Sequence, residues 1–193
     1  MDYKLSRYAC YLIMLNCDAK KRVVSLGKTY FAFQTRKMEI LEMDYNSLTE
    51  DEKRFYQRKI SKMGNSRLNQ QAKTSGVKNF DKFHNSGYKG LYNGETADDI
   101  AKRKCLRYKE EILDNMGLAE LSMNIFRISQ TEETLRNKNI KGEENANDCH
   151  YKVGKSIRNL VKDLGGTMPE ELPTPEKSLK EILKSKEFDK YIK

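Results

Sequence analysis

"FHNSGYKGLYNG" (Phe83–Gly94) is the stretch on which the reading of the fold turns. Three of the chain's eleven glycines, Gly87, Gly90 and Gly94, fall within it, with Tyr88, Lys89 and Tyr92 between them. Glycine permits positive φ and close backbone approach, and it weakens a helix interior. The local rule therefore predicts a shaped surface loop joining two helical halves, with at least one of the three glycines at positive φ. Taken alone, the stretch reads first as a corner whose tyrosines fold back on the core. The alternative is a gripping surface. Tyr88 would then project into solvent beside Lys89 to stack on a base, while Tyr92 packs inward with Leu91.

The charge around this stretch sharpens the choice. The chain of 193 residues carries a net charge of +9. Residues 1–52 hold eight basic and eight acidic side chains, and residues 90–193 hold nineteen of each. Residues 53–89 hold ten basic residues against the single acid Asp81, so the whole excess lies there. A block of this kind suits a polyanionic partner such as nucleic acid; the plainer alternative is a solvated helix face.

All three prolines, Pro169, Pro173 and Pro175, lie near the C-terminus. Together with the apolar spacing, the long proline-free run predicts an all-α fold. We expect a single irregular multi-helix domain over 1–168: an N-terminal half over 1–75, the glycine loop over 76–95 and further helices over 96–168. An extended segment and short terminal helix, a proline-bounded arm, occupy 169–193. Ser6 caps a buried first helix, "RYACYLIMLN". Asp18 caps a second over 19–43, with Val23, Leu26, Tyr30, Phe33 and Leu41 in the core and Phe31 and Met38 widening the stripe. Ser47 with Glu50 and Thr49 with Glu52 are overlapping capping-box candidates for a helix over 48–74. On its wheel Tyr56, Ile60 and Met63 form the inner side, and Arg54, Arg58 and Lys62 an outward basic ridge. A short amphipathic piece over 79–83 precedes the glycine loop. Thr96 and Asp99 open a helix, broken near Leu106, that Gly117 ends as a C′ glycine. Leu121, Ile125, Ile128 and Leu135 face inward from a helix over 118–138. Ala146, Val153, Ile157, Leu160, Val161 and Leu164 do so from one over 143–164. Thr174 then caps, and Pro175 begins, the last helix.

Chemistry-bearing patterns are few. "VGKS" at Val153–Ser156 lacks the earlier glycine of a phosphate loop and sits inside a helical pattern. Asp148, Cys149 and His150 are adjacent and so diverge on a helix, and His84 is remote in sequence. No pair has zinc-ligand spacing. Cys10, Cys17, Cys105 and Cys149 show no CxxC pairing and read as thiols of a reducing cytosol. The longest apolar run, Tyr8–Leu15, is too short to span a bilayer, and no secretion signal is visible. Neither a catalytic constellation, a metal nor a cofactor is expected. The candidate binding residues are Arg54, Arg58, Lys62, Tyr88 and Lys89.

Several stretches together resemble the DNA-damage-inducible protein D family of bacteria. They are "LSRYACYLI", "TYFAFQTRK", "EDEKR", "FHNSGYKGLYNG", "ILDNMG", "TEETLR" and "HYKVGKSIRNLVKDLGGTMPEELPTPEKSLKE". They run in family order over nearly the whole chain. The opening third is also similar to the end of a BRO-type module of phage antirepressors. Family members usually carry a further N-terminal portion ahead of "LSRYAC" that this sequence lacks. They often have Asn-Gly-Asp-Pro where Asn16-Cys17-Asp18-Ala19 stands here. The resemblance implies a non-enzymatic cytoplasmic protein of the SOS response. It would modulate RecA-type recombinase filaments on single-stranded DNA through protein contacts, with direct DNA contact left open. The other reading is an antirepressor-like module that binds a repressor or duplex DNA. A nuclease would need a carboxylate constellation with metal spacing, which the sequence lacks.

Overall fold

In a computed structural model the chain divides into two compact units, 1–49 and 50–193. The structure describes residues 12, 13, 16–18, 20, 21, 24, 25, 28 and 45–184. In the first unit, Asp18 Oδ1 accepts a hydrogen bond from Lys20 N at 3.0 Å, and Val24 is buried. Leu12 and Ile13 are exposed, so the opening helix is not apolar-buried all round as expected. The expectations for Ser6, Val23, Leu26, Tyr30, Phe31, Phe33, Met38 and Leu41 lie outside the described residues.

The second unit is helical, and no strand occurs among the described residues. Its elements are α1 (Glu50–Thr74), α2 (Phe80–Leu91), α3 (Ala97–Arg103), a 3₁₀ turn (Ile112–Asn115), α4 (Leu118–Asn137), α5 (Glu143–Asp163), a second 3₁₀ turn (Pro169–Glu171) and α6 (Leu179–Lys184). Two helix pairs, α1 with α4 and α2 with α5, are joined through α4 against α5. One apolar cluster gathers Leu68, Ala72, Phe83, Ile128, Leu135 and Ala146; a second gathers Leu91, Tyr92, Ile100, Met116, Leu121 and Ile157. Val153 packs against both.

The glycine stretch is not a loop. It is α2, entered through Asn79, whose side chain accepts from Lys82 N at 2.9 Å. The physical reason lies in a helix distant in sequence. Gly87 and Gly90 of α2 meet Gly154 of α5 backbone to backbone. A methyl carbon at Gly154 would lie 2.7 Å from Gly87 O and 2.9 Å from Leu91 N. One at Gly90 would lie 2.9 Å from Lys155 N and closer still to Tyr151 O. Glycine costs a helix about 1 kcal/mol in propensity, and close packing here offsets it. Gly94 alone of the three has positive φ, +97°, in the turn after the helix.

The phase of α1 is likewise inverted. Arg54, Ser61, Leu68 and Ala72 are its buried residues, whereas Tyr56 and Met63 are exposed and Ile60 is half-buried. On α4, Leu121, Ile128 and Leu135 are buried as the spacing predicts. On α5, Ala146 and Ile157 are buried, but Leu160 and Leu164 face solvent. Gly117 is the N-cap of α4 at φ −72°, not a helix-ending glycine, because the preceding helix already stops at Arg103. The reciprocal Thr96–Asp99 capping box at its start is present. Ser178, not Thr174, caps the last helix: Glu181 N donates to Ser178 Oγ at 3.2 Å and Ser178 N to Glu181 Oε2 at 2.9 Å. Buried Leu179 and Ile182 dock that helix on the unit.

Candidate functional site

The glycine crossing brings the C-terminal end of α2 beside the second half of α5 and leaves a groove of about 480 Å³ between them. Lys89, Lys155 and Lys162 line it, with Asn93, Asn159 and Met168. All three lysines are exposed, and none is within ion-pair distance of an acid among the described residues. Arg158, also in the lining, is used structurally. Its guanidinium grips Glu170 at 2.6 and 2.7 Å and donates to Leu91 O at 3.1 Å. Burial alone would raise the Glu170 carboxyl, but the Arg158 fork holds it below the ordinary value. This pair fastens the proline segment to the end of α2 and fixes one wall of the groove.

The candidate binding residues separate into two kinds. Arg54 is buried: its Nε donates to Met116 O at 3.1 Å, and its terminal nitrogens donate to Asp51 Oδ1 at 2.8 Å, Asp114 O at 3.3 Å and Lys177 O at 3.3 and 3.4 Å. Arg58 pairs with Asp114 at 2.6 Å and with Glu111. The supposed outward ridge drifts about 40° around the axis at each four-residue step. It therefore runs from core at Arg54 to solvent at Lys62. Lys62 shares the outer face of α1 with Lys59, Met63 and Lys73, all exposed. Tyr88 is not a free stacking ring. It is half-buried under the Arg127 guanidinium, 4.6 Å from its ring centroid. Lys89 is exposed and Tyr92 buried, as expected. Thus Lys62 and Lys89 remain surface cations, while Arg54, Arg58 and Tyr88 hold the fold.

Residues 48–182 match the family model described as the DinD C-terminal domain. The chain belongs to the DinD family. It is similar to DNA damage-inducible protein D of Escherichia coli (strain K12), with 45% identity over 185 residues, which cover 94% of this chain and 68% of that protein. No solved structure matches it.

Within the matched DinD domain, sequence reasoning missed a buried polar network. Arg127 Nη1 lies 2.5 Å from His150 Nε2, and its Nη2 donates to Asn124 Oδ1 at 3.1 Å. His150 Nδ1–H donates to Phe83 O at 3.0 Å, which leaves Nε2 as the acceptor. Asn124 Nδ2 donates to Tyr92 Oη at 2.8 Å, Tyr92 Oη to Glu120 Oε1 at 3.0 Å, and Lys104 Nζ to Glu120 Oε2 at 2.8 Å. His84 stands nearby, its Nε2 2.8 Å from Asn69 Oδ1. Burial, then the Arg127 charge, pushes His84 down to about 4 and His150 well below the usual imidazole value. Burial and the Glu120 charge push the Tyr92 phenol up, and burial raises Glu120 despite Lys104. Arg127, Tyr92, Glu120, Asn124 and His150 are at most 1% exposed. A substrate cannot reach them, so the network aligns α2 with α4 and α5. In the sequence His84 and His150 are far apart; the glycine crossing is what makes them neighbours.

Among the described residues no group of three or more His, Cys, Asp or Glu side chains could hold a metal, and no helix is long and apolar enough to cross a membrane. Cys17, Cys105 and Cys149 are free thiols.

Proposed function

We propose that this chain acts in the DNA-damage response by binding rather than turnover, modulating recombinase filaments on single-stranded DNA. The observation that carries the reading is the α2–α5 groove. It gathers Lys89, Lys155 and Lys162 around a cavity open to a phosphodiester, and among the described residues no carboxylate is in ion-pair contact with those lysines. Family membership supports the setting, since the similar E. coli protein is named for induction by DNA damage. Lys62 and the outer face of α1 would add phosphate attraction, and the partner would be a RecA-type filament with its DNA.

The triple change Lys89→Gln, Lys155→Gln and Lys162→Gln tests it. Fluorescence anisotropy on a labelled single-stranded oligonucleotide, bare and coated with recombinase, should show weaker binding. The salt slope should shrink by about 0.7 for each single-strand phosphate that the variant no longer neutralises. The melting curve should be unchanged, because none of the three side chains is buried. Unchanged affinity and slope on both substrates would overturn the reading.

A further inference from the structure

We propose that the outer groove between α4 and α5 docks one amphipathic helix of a partner protein, apolar at one end and acidic at the other. The groove encloses about 700 Å³. Its floor is Val153 and Ile157, and its open end is walled by Phe126 and Leu160, exposed by 45% and 49%. Val153, Ile157, Leu160 and Leu164 recur at helical spacing and form one stripe on α5, about 16 Å long. Leu164, 77% exposed, carries the stripe beyond the cavity. The exposed end of this stripe, Leu160 and Leu164, is continuous with the cavity, which marks an interaction surface.

Charge selects the occupant. The hairpin through Lys138–Gly142 brings Lys138 and Lys141 to the other end of the groove, beside Lys152. Lys152 pairs with Asp148 at 2.7 Å, the only carboxylate in the lining. Lys141 Nζ donates to the neutral carbonyl Thr74 O at 3.2 Å, so its charge is not cancelled. Lys138 has no ion pair among the described residues. The groove is therefore apolar around Phe126 and Leu160 and positive around Lys138 and Lys141. A helix lying along it should place large apolar side chains at the first end and carboxylates at the second. The site shares no lining residue with the Lys89 groove, so it stands or falls separately from the proposed function.

The test uses the full chain and two synthetic helices. Each is about sixteen residues long to match the groove, with Leu and Phe at i, i+4 and i+7 in one half. One carries Glu in the other half, and its counterpart carries Lys. The Glu helix should bind at least about tenfold more tightly and perturb the NMR signals of Phe126, Val153 and Leu160. Leu160→Asp and, separately, Phe126→Ser should each weaken it by about tenfold or more. Both side chains are about half exposed, so these variants should keep the wild-type circular dichroism. Lys138→Glu with Lys141→Glu should reverse the charge preference, whereas the Lys89, Lys155 and Lys162 triple should change nothing. Equal binding of the two helices, or perturbation elsewhere, would overturn the proposal. So would a concentration-dependent shift of the same signals without peptide, which would assign the groove to a second copy of this chain.

Discussion

The two helix pairs solve one packing problem in opposite ways. Where α2 crosses α5, side chains are removed and backbones touch at Gly90 and Gly154, while Gly87 makes room for the Arg127 and His150 side chains. Where α1 lies on α4, side chains fill the space. Gly64, the glycine of that pair, faces only the Cγ2 methyl of Ile128, 3.1 Å from where its own methyl carbon would be. Beyond that contact, Arg54 reaches across to the carbonyls of Asp114, Met116 and Lys177. One interface is fixed by rigid backbone and has no slack. The other is filled by side chains such as Leu68 and Ile128, while Arg54 ties α1 to backbone carbonyls just ahead of α4 and α6. The same glycine or arginine in the sequence therefore has a value that only the facing element decides.

The contrast is broken most severely at the crossing. Gly90→Ala with Gly154→Ala should cost more than about 3 kcal/mol, since overpacking against immobile backbone admits no rotamer escape. Gly64→Ala should be near neutral, because the gain of about 1 kcal/mol in helix propensity offsets a small shift of Ile128. Urea melts of both variants measure the difference, and equal costs would remove the distinction.

Acid should act next, through the network that the crossing encloses. The folded-state value of His84, about 4, lies below the unfolded value of 6.5. The unfolded chain then binds the extra proton between those values. Stability is whole above about pH 6.5 and falls by roughly 3 kcal/mol as pH drops to about 4. His84→Gln removes that titration, so the stability difference between variant and wild type should move in the variant's favour over this window. His150, lower still, extends the loss further into acid.

Arg54→Ala should rank third, at about 2 kcal/mol, because it leaves buried carbonyls without a donor. Arg54→Lys should recover little of this, since an ammonium cannot reproduce the fork that reaches three carbonyls. Smallest is Leu160→Ala. A core reading of Leu160 predicts a loss of about 2–5 kcal/mol. Its exposure predicts under about 0.5 kcal/mol. A thermal melt decides between them.

Much of the second unit is legible in sequence where local signals and packing agree. The Thr96–Asp99 box opens a helix, Gly142 precedes α5, and the Leu121–Ile128–Leu135 stripe of α4 is the buried one. The all-α fold follows from such segments. Legibility fails where a polar or small residue is buried by a distant partner. The inner face of α1 is written in Arg54, Ser61 and Ala72, so the apolar wheel settles on Tyr56 and Met63 and points the helix the wrong way. The α2 glycines read as a loop because propensity is local and Gly154 is not. Of the site, Lys89 is legible as an exposed cation. Its companions Lys155 and Lys162 are not, because only the crossing of the two helices brings them beside it.

The glycine crossing also limits how the sequence can drift. In an ordinary core, an added methyl group on one helix can be answered by a smaller residue on the facing helix, so paired changes walk the interface through sequence space. At Gly90 and Gly154 the facing atoms are backbone, and no residue is smaller than glycine. Neither helix can yield to a change in the other. The crossing has no compensating second-site substitution at these positions, only reversion or a wholesale shift of α2 along α5. Such a shift would carry Lys89 away from Lys155, so the geometry of the groove and the packing of the fold can disappear only together.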